Sequence, residues 1–284
     1  MEITPTLVKS LIHSQFPQWS HMPIRPVKNG GHDNRTFHLG DLLSVRLPSA
    51  AHYVAAVEKE AKFLPLLQRA LPLPIPVPIA LGTPSSDYPY PWSVLRWIDG
   101  ETLSHETIVD QETLAKDLAA FLLALYSIDA SDGPAAGTHN FHRGGDLAVY
   151  DEETQQCLRR FPDREAAGML KKQWELALAS RWAAKPVWVH GDVAKGNLLA
   201  QDGKLCAVID FGTSGVGDPS CDLVMAWTFF HDAARDVFRA CFPFDRQTWN
   251  RARGWALWKA LITDTEEARG ILDVIIREGI EENS

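Results

Sequence analysis

Residues 187–212 read VWVHGDVAKGNLLAQDGKLCAVIDFG. Two very apolar runs, 187–189 and 205–210, flank a polar loop that carries His190, Gly191 and Asp192, and a third short strand is expected over 197–200. Asp202-Gly203 is a two-residue turn signal that folds the Asn197 and Asp210 strands together, so their side chains converge. The residue types suit one chemistry. Asp192 can accept the proton of an attacking hydroxyl and orient it. The Asn197 amide oxygen and the Asp210 carboxylate are hard donors for a Mg²⁺ ion bound to phosphates. Phe211 is expected to pack beneath Asp210, and Gly212 to let the backbone turn sharply. Any one of these residues alone is an ordinary turn former. The joint pattern HxDxxxxN followed by a strand ending in DFG is far more specific, and it points to phosphoryl transfer.

Working outward, the first hundred residues read as β-β-β-α-β-β after a short helix at 6–15. Strands are expected at 24–28, 35–39 and 42–47, the last two joined by the hairpin signal Gly40-Asp41. A helix follows over 54–71. The proline-laced LPLPIPVPIALG leads into a strand, and a further strand at 93–98 ends at Asp99-Gly100. Beyond Gly100 the periodicity is helical at 113–128, 152–160, 166–183 and through the tail from 221 to 280. The expected fold is α+β and bilobal: an N-lobe of residues 1–99 with a small antiparallel β-sheet, and a larger, mainly helical C-lobe of residues 100–284.

The 284 residues are 45% apolar and 23% charged, an ordinary globular composition. The net charge of -8 is unevenly spread: residues 1–99 carry +2 and the remainder carries -10. An acidic balance argues against a nucleic-acid partner, whose phosphates need a basic face. Four widely spaced cysteines (Cys157, Cys206, Cys221, Cys241) offer neither a disulfide framework nor a structural zinc site, and they suit a reducing compartment. No apolar run is long enough for a signal-peptide core. The most apolar stretch is broken by Pro72, Pro74, Pro76 and Pro78, which rules it out as a spanning helix. A soluble, cytoplasmic protein with no membrane contact and no obligate protein partner is expected.

On HGDVAKGN, IDFG and GDPSCDL, together with the β-rich start, nearly the whole chain resembles the aminoglycoside phosphotransferase / choline kinase family, small-molecule relatives of the protein kinases. The resemblance implies a protein-kinase-like fold and transfer of the γ-phosphoryl group of ATP or GTP, with Mg²⁺, to a small-molecule hydroxyl. It implies Asp192 as catalytic base, Asn197 and Asp210 as Mg²⁺ ligands, His190 as a buttress of the catalytic loop and Asp222 as its brace. Asp218 can simply cap the helix that begins at Pro219. A kinase also needs a cation on its third strand and a helix glutamate to position it. Those places fall on Arg46, where the family has lysine, and on Glu60, with Glu58 as the alternative. No GxGxxG is present. Gly30 and Gly31 stand where the phosphate-covering loop belongs, and Arg96, Trp97 and Ile98 lie in the hinge whose backbone would meet the purine.

The acceptor is less determined. The -10 of residues 100–284 is compatible with a cationic, aminoglycoside-like acceptor. Its candidate acidic walls are Asp232, Asp236, Asp264, Glu266, Glu267, Glu278, Glu281 and Glu282. An apolar pocket would instead suit a macrolide, a metabolic sugar or an amino alcohol. Trp255 and Trp258, three apart on one helix face, read as core. The loop 140–145 either lines the pocket or caps a helix. The rival from another class is a nucleotide-binding pseudokinase module, motivated by the missing lysine. Against it stands the intact set Asp192, Asn197 and Asp210.

Overall fold

Helix α1 (Pro5–Gln15) begins where its sequence favours it: the Thr4 hydroxyl accepts from the Leu7 N–H, and Pro5 supplies a preset φ at the first turn. Val8, Leu11 and Ile12 form its buried face. They pack on the sheet residues Phe37, Leu39, Val45, Leu47, Trp92 and Val94, which make a small separate core. The computed structural model describes residues 2–27, 33–108, 110–263 and 265–281. The strands are β1 (Ile24–Pro26), β2 (Asn34–Leu39), β3 (Leu43–Pro48), β4 (Pro78–Gly82) and β5 (Trp92–Arg96). They form one antiparallel sheet in the order β1-β2-β3-β5-β4. Gly40, at φ 64°, makes the β2–β3 turn anticipated at Gly40-Asp41.

Between β3 and β4 lies α2 (Val54–Leu67). It stops four residues short of the expected end at 71. Pro65 withholds an N–H from the last turns, and residues 68–71 close as tight turns on Leu64, Leu66 and Leu67. The apolar face of this helix does not join the small core. Phe63, Leu64 and Leu67 enter the large one, with Leu118, Phe121, Trp188, Phe211 and Trp227.

After the two-residue strand β6 (Glu101–Thr102) the chain is mainly helical: α3 (Gln111–Ser127), α4 (Asp151–Arg160) and α5 (Arg164–Leu178). Asp110 and Asp163 cap α3 and α5. Next come β7 (Val187–Val189), β8 (Leu198–Gln201), β9 (Lys204–Val208) and β10 (Gly215–Gly217), then α6 (Met225–Thr228), α7 (Asp232–Ala240), α8 (Arg246–Thr263) and α9 (Glu266–Glu281). β6-β8-β9 and β7-β10 are two small antiparallel sheets that frame the loops of 190–197 and 210–214. In the β8–β9 hairpin Asp202 and Gly203 both have positive φ (52° and 77°), as a two-residue turn of this hand requires. The middle of α8, from Asn250 to Trp258, is buried on every side. Its Arg251 and Arg253 are accommodated by ion pairs to Asp218 at 2.7 Å and Glu278 at 3.7 Å. Among the described residues no helix is long and apolar enough to cross a membrane.

Candidate active site

The turn after β7 is tied down from both sides. Gly191, at φ 84°, lets the chain reverse, and a side chain there would press on the Thr213 carbonyl. Asp222 is fully buried and takes the two backbone N–H groups of this turn, His190 at 2.9 Å and Gly191 at 2.7 Å. Burial pushes the Asp222 carboxyl up, and His190 and these two donors pull it back toward the charged form. His190 is equally buried. Its Nε2 sits 2.9 Å from the Ile209 carbonyl, which can only accept, while its Nδ1 accepts from the Asp192 N–H at 3.2 Å. These two contacts fix the orientation of the ring, which meets Phe211 edge to face. His190 and Asp222 thus occupy the places from which a buttress and a brace would act.

Asn197 closes the loop. Its Nδ2 donates to the Asp192 backbone carbonyl at 2.9 Å and to Asp192 Oδ2 at 3.0 Å. That orients the carboxylate and engages only the nitrogen of the Asn197 amide. The Ile209 N–H donates to the Asn197 carbonyl at 2.8 Å, which brings the end of β9 alongside. Asp210 then adopts the left-handed conformation (φ 64°), one that aspartate tolerates better than most residues. Its side chain remains 37% exposed, above Phe211, which is wholly buried.

Arg46 joins the lobes. On β3 it donates to both Glu60 oxygens at 3.4 Å and to Asp210 Oδ1 at 3.3 Å. It is therefore no solvated strand residue, and the pairing expected of a lysine is made by a guanidinium fork. Burial alone would lower the Arg46 pKa, but the two carboxylates outweigh it and hold the group above its ordinary value. Burial raises the Glu60 carboxyl despite the pull of Arg46. Glu58, the alternative, is exposed.

Sequence reasoning passed over the neighbouring Lys59. It is buried, and its ammonium donates to the Gly212 and Ser214 carbonyls, each at 2.7 Å. Burial lowers its pKa from 10.5 to about 8. In sequence it stands in a run of alternating charge that reads as a solvated helix face. The one available signal was its adjacency to Glu60.

A cleft of about 720 Å³ opens between the lobes. Arg46, Asn197 and Asp210 line one end; Leu95, Arg96, Trp97 and Ile98 line the other, with Val27, Pro76, Leu199 and Ile209 as apolar walls. The Trp97 N–H is already given to the Leu42 carbonyl. Gly30 and Gly31 lie outside the described residues. Asp192 faces a second, smaller cavity, whose walls include Arg143, Lys195, Trp255 and Lys259. The loop 140–145 therefore lines a pocket rather than only capping a helix.

Of the described acidic candidates for an acceptor wall, only Glu267 reaches that cavity, and it is paired with Lys195 at 2.7 Å. Glu278 is taken by Arg239, Arg235 and Arg253 and by the Trp227 N–H. Asp232, Asp236, Glu266 and Glu281 are exposed, and Asp264 and Glu282 lie outside the described residues. Asp218 does cap the turn at Pro219, accepting from the Ser220 N–H, and it also binds Arg251. Trp255 and Trp258 are core residues, as expected.

Among the described residues no three His, Cys, Asp or Glu side chains gather as a metal cluster. Asn197 and Asp210 offer two hard oxygen donors at the mouth of the cleft. That is a set suited to a cation whose other ligands are phosphate oxygens and water.

No functionally curated protein matches the chain by sequence. Solved structures do match in fold. The GDP and kanamycin complex of APH(2")-IIIa superposes with a TM-score of 0.74 at 20% identity, over 96% of each chain. The GDP complex of wild-type aminoglycoside 2'-phosphotransferase-IIIa gives 0.70 at 18% identity, over 99% of this chain and 100% of that one. Macrolide 2'-phosphotransferase MphH from Brachybacterium faecium gives 0.63 at 18% identity, over 96% and 97%. All three share the bilobal, protein-kinase-like fold. Residues 24–256 match the sequence profile of the phosphotransferase enzyme family, a span that takes in the cleft, both loops and most of α8. The chain belongs to the phosphotransferase enzyme family.

Proposed function

We propose that this enzyme moves the γ-phosphoryl group of a purine nucleoside triphosphate to the hydroxyl of a small molecule, with residues 1–99 as nucleotide lobe and residues 100–284 as catalytic and acceptor lobe. The observation that carries the reading is the placing of Asn197 and Asp210 at one end of the interlobe cleft, with Asp192 bonded to Asn197 and facing the adjoining cavity, and with Arg46 joining Asp210 to Glu60. Relatives of the same fold were solved with GDP, with ADP and with ATP, which supports a nucleotide donor without choosing the base.

In this reading the purine lies against Val27, Leu199 and Ile209, its edge toward the hinge backbone near Ile98. Arg46, held by Glu60, takes the α- and β-phosphate oxygens. Asn197 and Asp210 would hold Mg²⁺, which when bound neutralises charge on the phosphates. Asp192 is aimed by Asn197 at the acceptor cavity. It takes the hydroxyl proton as the oxygen attacks the γ-phosphorus in line, and the bond to the nucleoside diphosphate breaks. His190 and Asp222 do no chemistry. They hold the backbone on which Asp192 rides. The wide spacing of the four cysteines supports a reducing, cytoplasmic setting.

Asp192→Asn keeps the shape of the loop and removes the base. Its kcat should fall by about 10²- to 10⁴-fold while the nucleotide KM stays within a factor of a few. Undiminished turnover would overturn the assignment. Coupled measurement of nucleoside diphosphate release reads both parameters.

A further inference from the structure

The cavity in front of Asp192, about 170 Å³, is lined by Arg143, Asp192, Lys195, Trp255, Lys259 and Glu267, among others. Lys195 and Glu267 neutralise one another at 2.7 Å. Among the described residues Arg143 and Lys259 have no such partner. Arg143 is 9% exposed, yet among the described residues its guanidinium meets no carboxylate and no hydrogen-bond acceptor, and its Nε is buried and unpaired. The Trp255 indole N–H, on the same wall, is buried and unpaired as well. Beyond the base itself, this wall is rich in donors and poor in acceptors.

The placement of Arg143 is built in. Its guanidinium carbon stands 4.6 Å from the Trp258 ring centre and 5.2 Å from that of Trp255, so the rings hold its face and leave its fork of N–H groups for a ligand. The loop beneath is fastened. Buried Asn140 bonds the Gly137 N–H and the Arg143 carbonyl, the Tyr150 hydroxyl donates to the Phe141 carbonyl, and the Asp218 N–H donates to the Gly144 carbonyl. Lys259 lies one helical turn beyond Trp255 on α8, on the same face.

A buried guanidinium without a counter-charge is costly unless a ligand supplies one. We infer that the acceptor is a small alcohol carrying an anionic group, a carboxylate or a phosphate, which Arg143 grips with Lys259 while the hydroxyl is turned toward Asp192. This rests on the phosphotransfer reading and names its acceptor class. The overall charge of -10 in residues 100–284 pointed the other way, toward a cationic acceptor. Local pairing, rather than the sum, decides what the cavity receives.

Four three-carbon diols test it: glycerate, glycerol 3-phosphate, glycerol and 3-aminopropane-1,2-diol, each offered to the full-length enzyme with Mg·ATP and Mg·GTP. An anionic diol should exceed the neutral and cationic ones by at least about tenfold in kcat/KM, and the two anionic arms separate carboxylate from phosphate. Arg143→Gln should erase that preference through KM, and Arg143→Lys should restore part of it. Lys259→Met, at an exposed position, should raise KM for the anionic diols alone, by about five- to tenfold. A preference for the amino diol or for glycerol, or one unchanged in both Arg143→Gln and Lys259→Met, overturns the inference and leaves phosphotransfer standing. Should none of the four turn over, tryptophan fluorescence titrated with glycerate and glycerol 3-phosphate decides. A response lost in Arg143→Gln supports the site, and no response to either anion overturns it. The reaction itself is judged separately, by Asp192→Asn on whichever acceptor is consumed.

Discussion

Arg46 holds two carboxylates at once, and the geometry explains why arginine can stand where the motif led to an expected lysine. A guanidinium presents several N–H groups in one plane, so it can reach Glu60 on α2 and Asp210 after β9 without moving. Glu60 is 4% exposed at its side chain, so removing its partner strands a buried charge. Arg46→Ala should therefore cost about 3–5 kcal/mol of stability. Urea unfolding checks it through a lower midpoint at unchanged slope. Much of this was legible beforehand. The third strand of the sheet located the cation, and the choice of Glu60 over Glu58 followed from the apolar residues after it. Lys59 and Arg143 were not legible, for one reason in common. Each is a buried cation whose surroundings come from segments far away in sequence, Gly212 and Ser214 for the first and Trp255 and Trp258 for the second.

At the level of elements, the decisive pieces are turns and two very short strands. The hairpin of β8 and β9 was announced by Asp202-Gly203, whereas β6 and β10 carried no signal. Two residues are too few to show alternation, and Gly215-Val216-Gly217 reads as a loop. Yet β10 matters, because Gly217 passes so close to Gly144 that any side chain would overlap its carbonyl, and this contact seats the loop bearing Arg143. The β7 turn has the same character. Gly191→Ala would place a side chain at φ 84°, with its Cβ 2.5 Å from the Thr213 carbonyl. It should lower the unfolding free energy by about 1–3 kcal/mol and depress kcat more than it changes the nucleotide KM. Denaturation and steady-state kinetics on the same preparation test both parts.

For the molecule as a whole, the order of a sheet-rich lobe and then a helical one was readable from the change of periodicity along the chain, but the division of the core was not. The small core belongs to α1 and the sheet, while α2 buries its apolar residues in the large core with α3 and the Phe211 turn. Hydrophobic spacing identifies a helix's buried face without saying which lobe will cover it. Lys59 fastens that arrangement, and its ammonium, held near pKa 8 by burial, leaves a trace in the pH dependence of stability. Between pH 8 and about 10.5 the unfolded chain binds more protons at this position than the folded one. Its contribution to unfolding free energy therefore rises with pH across that window, by up to about 1.4 kcal/mol per pH unit. Lys59→Met should flatten the profile there, as seen by unfolding at a series of pH values. The same residue has a consequence for the cleft. Lys59, and Glu60 through Arg46, bind α2 to the Asp210 turn by contacts internal to the chain, so the protein's own side chains hold the helix inward. Any ligand that enters the cleft thus meets a helix already fastened to the turn that bears Asp210.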